Sequence, residues 1–215
     1  MKLVIVESPT KCETIKRYLG DDYVVKASYG HICDLATRGK GGLGIDVENN
    51  FAPAYIINKD KKKVVYDLQK LAKESEEVIL ATDPDREGEA IAWHLAKVLD
   101  LDIATNKRLE FHEITRDSIG EAMKHPRTID LALVSSQETR RMLDRIIGFK
   151  LSALLNKKIH SKSAGRVQSA TLKLAADQEV KIESFVPEEY GGYRGRGGDR
   201  TRGIPAGDHR VGVYG

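Results

Sequence analysis

The first half of the chain alternates short β-branched runs with stretches that have the apolar spacing of helices, and no other feature restricts the fold as strongly. The runs with the composition of buried strands are KLVIVE (2–7), DYVVKASYG (22–30), EEVILAT (76–82) and KRLEFHEI (107–114). The stretches with helical spacing are PTKCETIKRYLG (9–20), KKKVVYDLQKLAKES (61–75) and REGEAIAWHLAKVL (86–99). This alternation predicts an α/β fold with a doubly wound, mainly parallel sheet.

The second half has a different pattern. Residues 116–190 have the spacing of consecutive helices and contain TRDSIGEAMKH (115–125), SSQETRRMLDRIIGFKLSALLNKKI (135–159) and SAGRVQSATLKLAADQE (163–179). Residues 191–215 are rich in Gly and Arg and have no apolar period. Such a segment cannot bury a core, so we expect it to be disordered.

Charge is distributed unevenly between the two halves. Residues 138–215 carry 15 Lys and Arg against 9 Asp and Glu, whereas residues 1–137 carry 20 against 23. A basic second half is typical of a protein that grips a polyanion. No apolar run approaches the roughly 20 residues that span a bilayer, so no membrane partner is expected. The two cysteines form neither a metal-binding spacing nor a disulfide framework, which favours a reducing, cytoplasmic location.

Acidic residues crowd the end of one predicted strand. Asp83, Asp85, Glu87 and Glu89 follow the run 76–82 within seven residues, and Glu7 ends the first predicted strand. Because ligands of open α/β sheets bind beyond the carboxyl ends of the strands, we expect Glu7, Asp83 and Asp85 to meet there. Clustered carboxylates favour a hard cation, and Mg²⁺ in particular. The alternative is a set of solvated charges at a helix start, where the helix dipole also favours acids.

Basic side chains could hold a phosphate near these acids. Lys11 lies one turn into the helix that follows Glu7, a natural position for binding an anion, although it is also an ordinary place for a solvated lysine. Arg140 and Arg141 lie within one helical turn of Asp144, which predicts a phosphate clamp or, alternatively, a solvated helix face.

Seven segments of the chain resemble successive motifs of the type IA DNA topoisomerases. They are VIVESPTKCETIKRYLG, SYGHICDL, GLGIDVENNFAPAY, ILATDPDREGEAIAWHL, FHEIT, RRMLDRIIGF and SAGRVQSATLKL. The resemblance implies a toprim fold in residues 1–115, a helical DNA-binding segment in residues 116–190, and relaxation of negatively supercoiled DNA without ATP. The toprim fold also occurs in primases and nucleases, but DPDREGEAIAWH together with SAGRVQS is specific to the topoisomerases.

The resemblance also implies roles for individual residues. The implied Mg²⁺ ligands are Glu7, Asp83, Asp85 and Glu87. The implied catalytic residues are Glu7, Lys11, Asp83, Asp85 and Arg86. The implied contacts to single-stranded DNA are His31, Arg140, Arg141, Asp144, Phe149, Asn156, Ser163, Ala164, Gly165, Arg166, Val167 and Gln168.

The chain departs from the family pattern at several positions. Cys33 stands where the family often has Arg, and Asn156 stands where an aromatic residue is frequent. Tyr190, Tyr193 and Tyr214 do not lie in the sequence context of the family's nucleophilic tyrosine, so we expect the isolated chain to be inactive. For residues 191–215 a truncated or frameshifted end is favoured over an RGG-like tail. The alternative functions are a non-catalytic protein that binds single-stranded DNA and another toprim enzyme.

Overall fold

The computed structural model of the protein describes residues 1–37, 42–160 and 163–187, together with the backbone of residues 190–191 and 211–212. The chain divides into two compact units, Met1–Gly165 and Arg166–Gly215. The sequence boundary at residue 115 stays a prediction. Tyr193, Tyr214 and most of the Gly/Arg-rich segment lie outside the described residues.

The first unit begins with a doubly wound arrangement. Its strands are β1 (Lys2–Val6), β2 (Tyr23–Ala27), β3 (Cys33–Leu35), β4 (Ile45–Asp46), β5 (Ala52–Pro53), β6 (Tyr55–Ile57) and β7 (Glu77–Leu80). Its helices are α1 (Pro9–Leu19), α2 (Lys62–Glu74), α3 (Arg86–Val98), α4 (Arg116–Lys124) and α5 (Leu131–Ile159), with a 3₁₀ turn at Lys59–Lys61. The main sheet has the order β2-β1-β7 and is parallel throughout, as the alternating pattern predicts.

Alternate residues of β1 supply two separate cores. Leu3 and Ile5 belong to a cluster that includes Leu68 of α2 and Leu95 of α3. On the opposite face, Val4 and Val6 belong to a second cluster with residues of α1 and α4. Because successive side chains of a strand point to opposite faces, helices cover both sides of the sheet and leave its strand ends open. The carboxyl ends of β1 and β7 therefore form the edge at which a ligand can bind.

The prediction of a fourth strand at 107–114 is wrong, because this segment is not an extended strand. Only Arg108 makes bridge pairings, one to Leu80 and one to Arg127, and its side chain is fully buried. The amide and carbonyl groups of Arg108 both pair with Arg127, whereas the carbonyl of Lys107 and the amide of Leu109 pair with Leu80 of β7. The small antiparallel pairs β3–β6 and β4–β5 were not predicted from the sequence.

The helical part of the first unit starts at capped residues. The hydroxyl of Thr115 accepts a hydrogen bond from the amide of Ser118 at the start of α4. The Asp130 carboxylate accepts from the amides of Ala132 and Leu133 at the start of α5. These contacts satisfy amides that have no partner within a helix.

The second unit contains α6 (Arg166–Glu183) and the paired strands β8 (Tyr190–Gly191) and β9 (Val211–Gly212). Among the described residues, no helix is both long and apolar enough to cross a bilayer.

Candidate active site at the carboxyl ends of β1 and β7

The parallel pairing of β1 with β7 brings Glu7 and Asp83 together. Residue 5 pairs with residue 80, so the residues that follow each strand leave the sheet at the same edge. Lys11 of α1 donates a hydrogen bond of 2.6 Å to Oε1 of Glu7 and a second one to Oδ1 of Asp83. The structure therefore places three of the five predicted catalytic residues in direct contact, with a cation between two carboxylates.

Glu7 and Asp83 affect the pKa of each other. Burial raises the pKa of Glu7, and the adjacent Asp83 carboxylate raises it further. Burial alone would also raise the pKa of Asp83, but hydrogen bonds from Glu7 and Lys11 hold it below its ordinary value. Burial lowers the pKa of Lys11, and its bonds to Asp83 and Glu7 more than offset this, so the ammonium stays charged. The pair thus favours a positive partner.

The turn from β7 into α3 fixes the remaining acids. Asp85 is the N-cap of α3, and its Oδ1 accepts a hydrogen bond of 2.7 Å from the amide of Gly88. Thr82 donates its hydroxyl to the carbonyl oxygen of Gly88 at 2.6 Å. A β-carbon at position 88 would overlap the backbone of Asp83, so the helix start and the strand end touch through main-chain atoms. Arg86, the first residue of α3, is exposed.

Glu87 belongs to a different group of side chains from Glu7 and Asp83. Its Oε2 lies 3.2 Å from Nε2 of His31 and accepts a hydrogen bond of 3.0 Å from Gln137. Nη1 of Arg140 lies 3.9 Å from its other oxygen. Within the residues that the structure describes, no three His, Cys, Asp or Glu side chains are grouped as a ready metal site.

The predicted DNA contact Arg141 is held by an acid that the sequence did not single out. Nε and Nη2 of Arg141 donate to the two oxygens of Asp34 at 3.0 and 2.6 Å, and Arg145 approaches the same carboxylate at 3.4 Å. Burial would raise the pKa of Asp34, but the bonds from Arg141 and from the amide of Leu35 hold it below its usual value. The predicted Arg140–Asp144 pair has a separation of 3.9 Å.

Two concave surfaces lie on this side of the first unit. One, of about 280 Å³, is lined by His31, Cys33, Asp34, Asn58, Glu87, Gln137 and Arg141. The other, of about 480 Å³, follows α5 and is lined by Arg141, Asp144, Arg145, Gly148, Phe149 and Ser152. Arg145 lies 5.5 Å from the centre of the Phe149 ring, a cation–π distance. Arg141 lines both surfaces.

The other predicted DNA contacts lie near the end of α5 and the start of α6. Asn156 is exposed on α5, and Ser163 is exposed as well. Ala164 is buried, and Ser152 both donates to its carbonyl oxygen (3.1 Å) and accepts from its amide (2.9 Å). Gly165 is half-buried. The second unit contains the exposed residues Arg166, Val167 and Gln168, in the first turn of α6.

A buried ionic network supports the acidic turn, and the sequence did not indicate it. Arg108 donates to the carbonyl oxygens of Thr82 and Asp83, both at 2.8 Å, and to Glu89 at 3.2 Å. Glu89 also accepts from Nη1 and Nη2 of Arg127 and from the amide of Asp130, the N-cap of α5. A carboxylate inside the apolar run EAIAWHLA was the available signal, because such a residue needs a buried partner.

The sequence and the fold match known families. Residues 2–114 match the Toprim domain, and residues 128–197 match the DNA topoisomerase family. The full-length topoisomerase I of Thermotoga maritima is a similar solved structure, with 49% sequence identity and a TM-score of 0.75. The match covers 88% of this chain and 32% of the Thermotoga chain, so this chain spans about a third of that protein. The match at 128–197 disfavours the other toprim enzymes, and Toprim domains bind divalent metal ions.

Proposed function

Because this chain belongs to the type IA DNA topoisomerases, we propose that it provides the metal-binding and DNA-positioning part of an enzyme that relaxes negatively supercoiled DNA. In the proposed reaction a tyrosine oxygen bonds to a backbone phosphorus as the bond to the 3′ oxygen breaks. The second strand passes, and the 3′ hydroxyl then displaces the tyrosine. The phosphotyrosine keeps the energy of the broken bond, so the cycle needs no ATP.

The observation that carries this proposal is the contact of Lys11 with both Glu7 and Asp83 at adjacent strand ends. A phosphate at this edge meets a charged ammonium and the open N-terminal turn of α1. Lys11 would hold the phosphate, and Lys11 or Glu7 would supply the proton to the departing 3′ oxygen. Proton transfer requires the distance of an ordinary hydrogen bond. Lys11 and Glu7 already lie at such a distance from each other.

The donor set fits a divalent cation of the Mg²⁺ type. Glu7 and Asp83 are neighbouring carboxylates that share the Lys11 ammonium, and two negative charges this close are costly without a positive partner. Hard oxygen donors are what Mg²⁺ prefers, and we propose that Glu7, Asp83 and Asp85 would hold it. The predicted ligand Glu87 contacts His31 and Gln137 instead. When bound, the ion would stabilise negative charge on phosphate oxygens.

The substrate segment would be single-stranded. Arg141 and Phe149 line one concave surface of α5 and Arg140 is partly exposed on the same helix, so together they offer phosphate contacts and an aromatic face. Proteins usually bind single-stranded DNA by neutralising its phosphates with basic side chains and by stacking its bases on aromatic rings. His31 lies 3.2 Å from Glu87 and lines a concave surface together with Arg141.

A chimeric enzyme tests the proposal. Residues 1–187 of this chain would replace the matching part of the Thermotoga maritima topoisomerase I, and plasmid relaxation would be followed on agarose gels. We expect relaxation with Mg²⁺ and without ATP, and its loss in a chimera that carries Asp83→Asn and Asp85→Asn. A matched chimera with Asp60→Asn and Asp67→Asn, both exposed and near or on α2, should stay active. Relaxation that survives the loss of Asp83 and Asp85 would contradict the proposal.

A further inference from the structure

The loop that follows β2 holds a tyrosine in an unusual conformation. Tyr29 has φ of 58° and Gly30 has φ of 83°, so two consecutive residues are left-handed. Glycine adopts this region freely, but a bulky aromatic residue rarely does, and such strain is concentrated at functional sites. Asn or Gly would satisfy the same backbone at lower cost.

Four hydrogen bonds hold the loop in this shape. The amides of Ser28 and Gly30 donate to the carbonyl oxygens of Val6 and Glu7, both at 2.9 Å. The Ser28 hydroxyl donates to the carbonyl oxygen of Gly30 at 3.0 Å, and Lys61 donates to that of Tyr29 at 2.8 Å. The loop is therefore fixed to the end of β1 through the main chain of Val6 and Glu7.

The ring of Tyr29 is directed away from the core. It is 54% exposed, whereas burial is the usual reason to keep a large aromatic side chain. The ammonium of Lys61 lies 5.8 Å from the ring centre. His31, two residues further along the chain, contacts Glu87. Packing thus does not account for this ring, which is exposed, has a cation beside it, and belongs to a loop bonded to the main chain of Glu7.

We propose that Tyr29 is a stacking platform for one nucleobase of the single-stranded DNA that enters the site, with Lys61 placed to neutralise the adjoining phosphate. Every base has a flat face that an exposed aromatic ring can cover, and a cation beside the ring favours a polyanion over an apolar protein partner. This inference rests on the proposed function. It adds a base contact to the phosphate contacts on α5.

The test compares base-bearing and abasic strands. Anisotropy titrations would use a labelled oligothymidine and the same strand with a run of abasic sites, on the full chain and its variants. Tyr29→Asn, which keeps a residue suited to positive φ, should weaken binding of the oligothymidine roughly 5- to 150-fold. Tyr29→Phe should bind like the wild type. Against the abasic strand, wild type and Tyr29→Asn should have equal affinities.

Two further variants sharpen the result. Tyr66→Ala removes an exposed tyrosine of α2 and should leave both affinities unchanged. Lys61→Met should reduce the salt dependence of binding, whereas Tyr29→Asn should not, because only Lys61 neutralises a phosphate. Equal thermal midpoints would establish that the variants are folded.

The outcomes separate the two proposals. If the wild type binds oligothymidine and Tyr29→Asn binds it as tightly, the stacking inference is wrong and the proposed function stands. An equal loss of affinity for both strands would also overturn the inference, since no base contact would be involved. If the wild type binds no single-stranded DNA, both proposals fail together.

Discussion

The buried guanidinium of Arg108 donates a hydrogen bond of 2.8 Å from Nη2 to the main-chain oxygen of Asp83. The same guanidinium holds the carbonyl oxygen of Thr82, and its charge is balanced by Glu89. Because Glu89 also binds Arg127 and the amide of Asp130, the backbone of the acidic turn and the first turn of α5 share one network. The position of the acids and the start of α5 are thus fixed together.

Removing Glu89 should destabilise the protein strongly. Burial would raise the pKa of Glu89, but the bonds from Arg127 and Asp130 and the charge of Arg108 hold it below its ordinary value, so it is ionised at neutral pH. Glu89→Gln leaves Arg108 buried without a counter-charge, which should lower the free energy of unfolding by about 3–5 kcal/mol. Urea denaturation measures this. Glu121→Gln on the surface of α4 should give the wild-type transition, and equal transitions for both variants would contradict the role of the network.

His94 should make stability fall in mild acid. Burial, together with the charges of His31 and Lys97, lowers the pKa of His94 to about 4, and the Ala90 carbonyl only partly opposes this. In the unfolded chain the pKa returns to about 6.5, so the stabilisation is present above pH 6.5 and is lost as the pH falls towards about 4. The loss amounts to about 3 kcal/mol.

His94→Phe keeps the ring against Tyr55 and Trp93 and removes the titration. Its unfolding free energy should therefore decline less than that of the wild type between pH 6.5 and pH 4. Denaturation at a series of pH values gives the difference. Parallel curves for the two proteins would show that His94 does not titrate on unfolding.

Lys11 should compete with a divalent ion for the two carboxylates. Lys11→Met removes the cation between Glu7 and Asp83, so calorimetry should show Mg²⁺ binding roughly tenfold tighter, about 1.4 kcal/mol. Asp83→Asn with Asp85→Asn should abolish the signal, while Asp60→Asn should not change it. Weaker binding in Lys11→Met would mean that the ammonium helps to build the metal site.

Arginines on α5 and α6 should set the salt dependence of DNA binding. Each neutralised phosphate contributes a log–log slope of about −0.7 for single strands, so replacing Arg140, Arg141 and Arg166 by Ala should flatten the slope by roughly 2. Exposed lysines elsewhere serve as the control, replaced by Ala at Lys70, Lys73 and Lys124. An unchanged slope in the arginine variant would show that these side chains are solvated and do not neutralise DNA phosphates.

Asp34 should weaken DNA binding by this surface of α5, because it pairs with two of its arginines. Asp34→Asn frees Arg141 and Arg145 from their shared carboxylate, so anisotropy at low salt should show tighter binding of single-stranded DNA and a steeper salt slope. Combining the change with Arg141→Ala should remove most of the gain. If Asp34→Asn binds more weakly, the carboxylate positions the arginines for DNA rather than competing with it.

The three parallel strands and the long helices follow from local patterns, and the sequence predicted them. β1 and β7 are short β-branched or apolar runs, and α4 lies within the predicted helical stretch at 115–125. The segment at 107–114 has the same local character, but Arg108 turns into the core to bind the carbonyl oxygens of the acidic turn. A local pattern cannot show which strand-like segment will fail to pair in the sheet because one of its side chains enters a buried ionic network.

The site was predictable where adjacent strands bring residues together and not where distant segments meet. The end-to-end placement of Glu7 and Asp83 follows from a parallel sheet, and the contact with Lys11 follows from its position in α1. The pairing of Asp34 with Arg141 joins residues that are 107 positions apart. Neither residue differs locally from an ordinary surface charge, so only the folded chain reveals the pair.

Gly88 limits how the acidic site can be moved to another protein. Any side chain at this position would overlap the backbone of Asp83. The start of α3 can therefore approach the end of β7 this closely only with a glycine there. Asp85 is in turn fixed by the amide of the same glycine. A designer who transplants the carboxylates alone into a different parallel sheet would lose their spacing. The transplant would need the whole turn from Asp83 to Gly88 together with the buried arginine that binds its backbone.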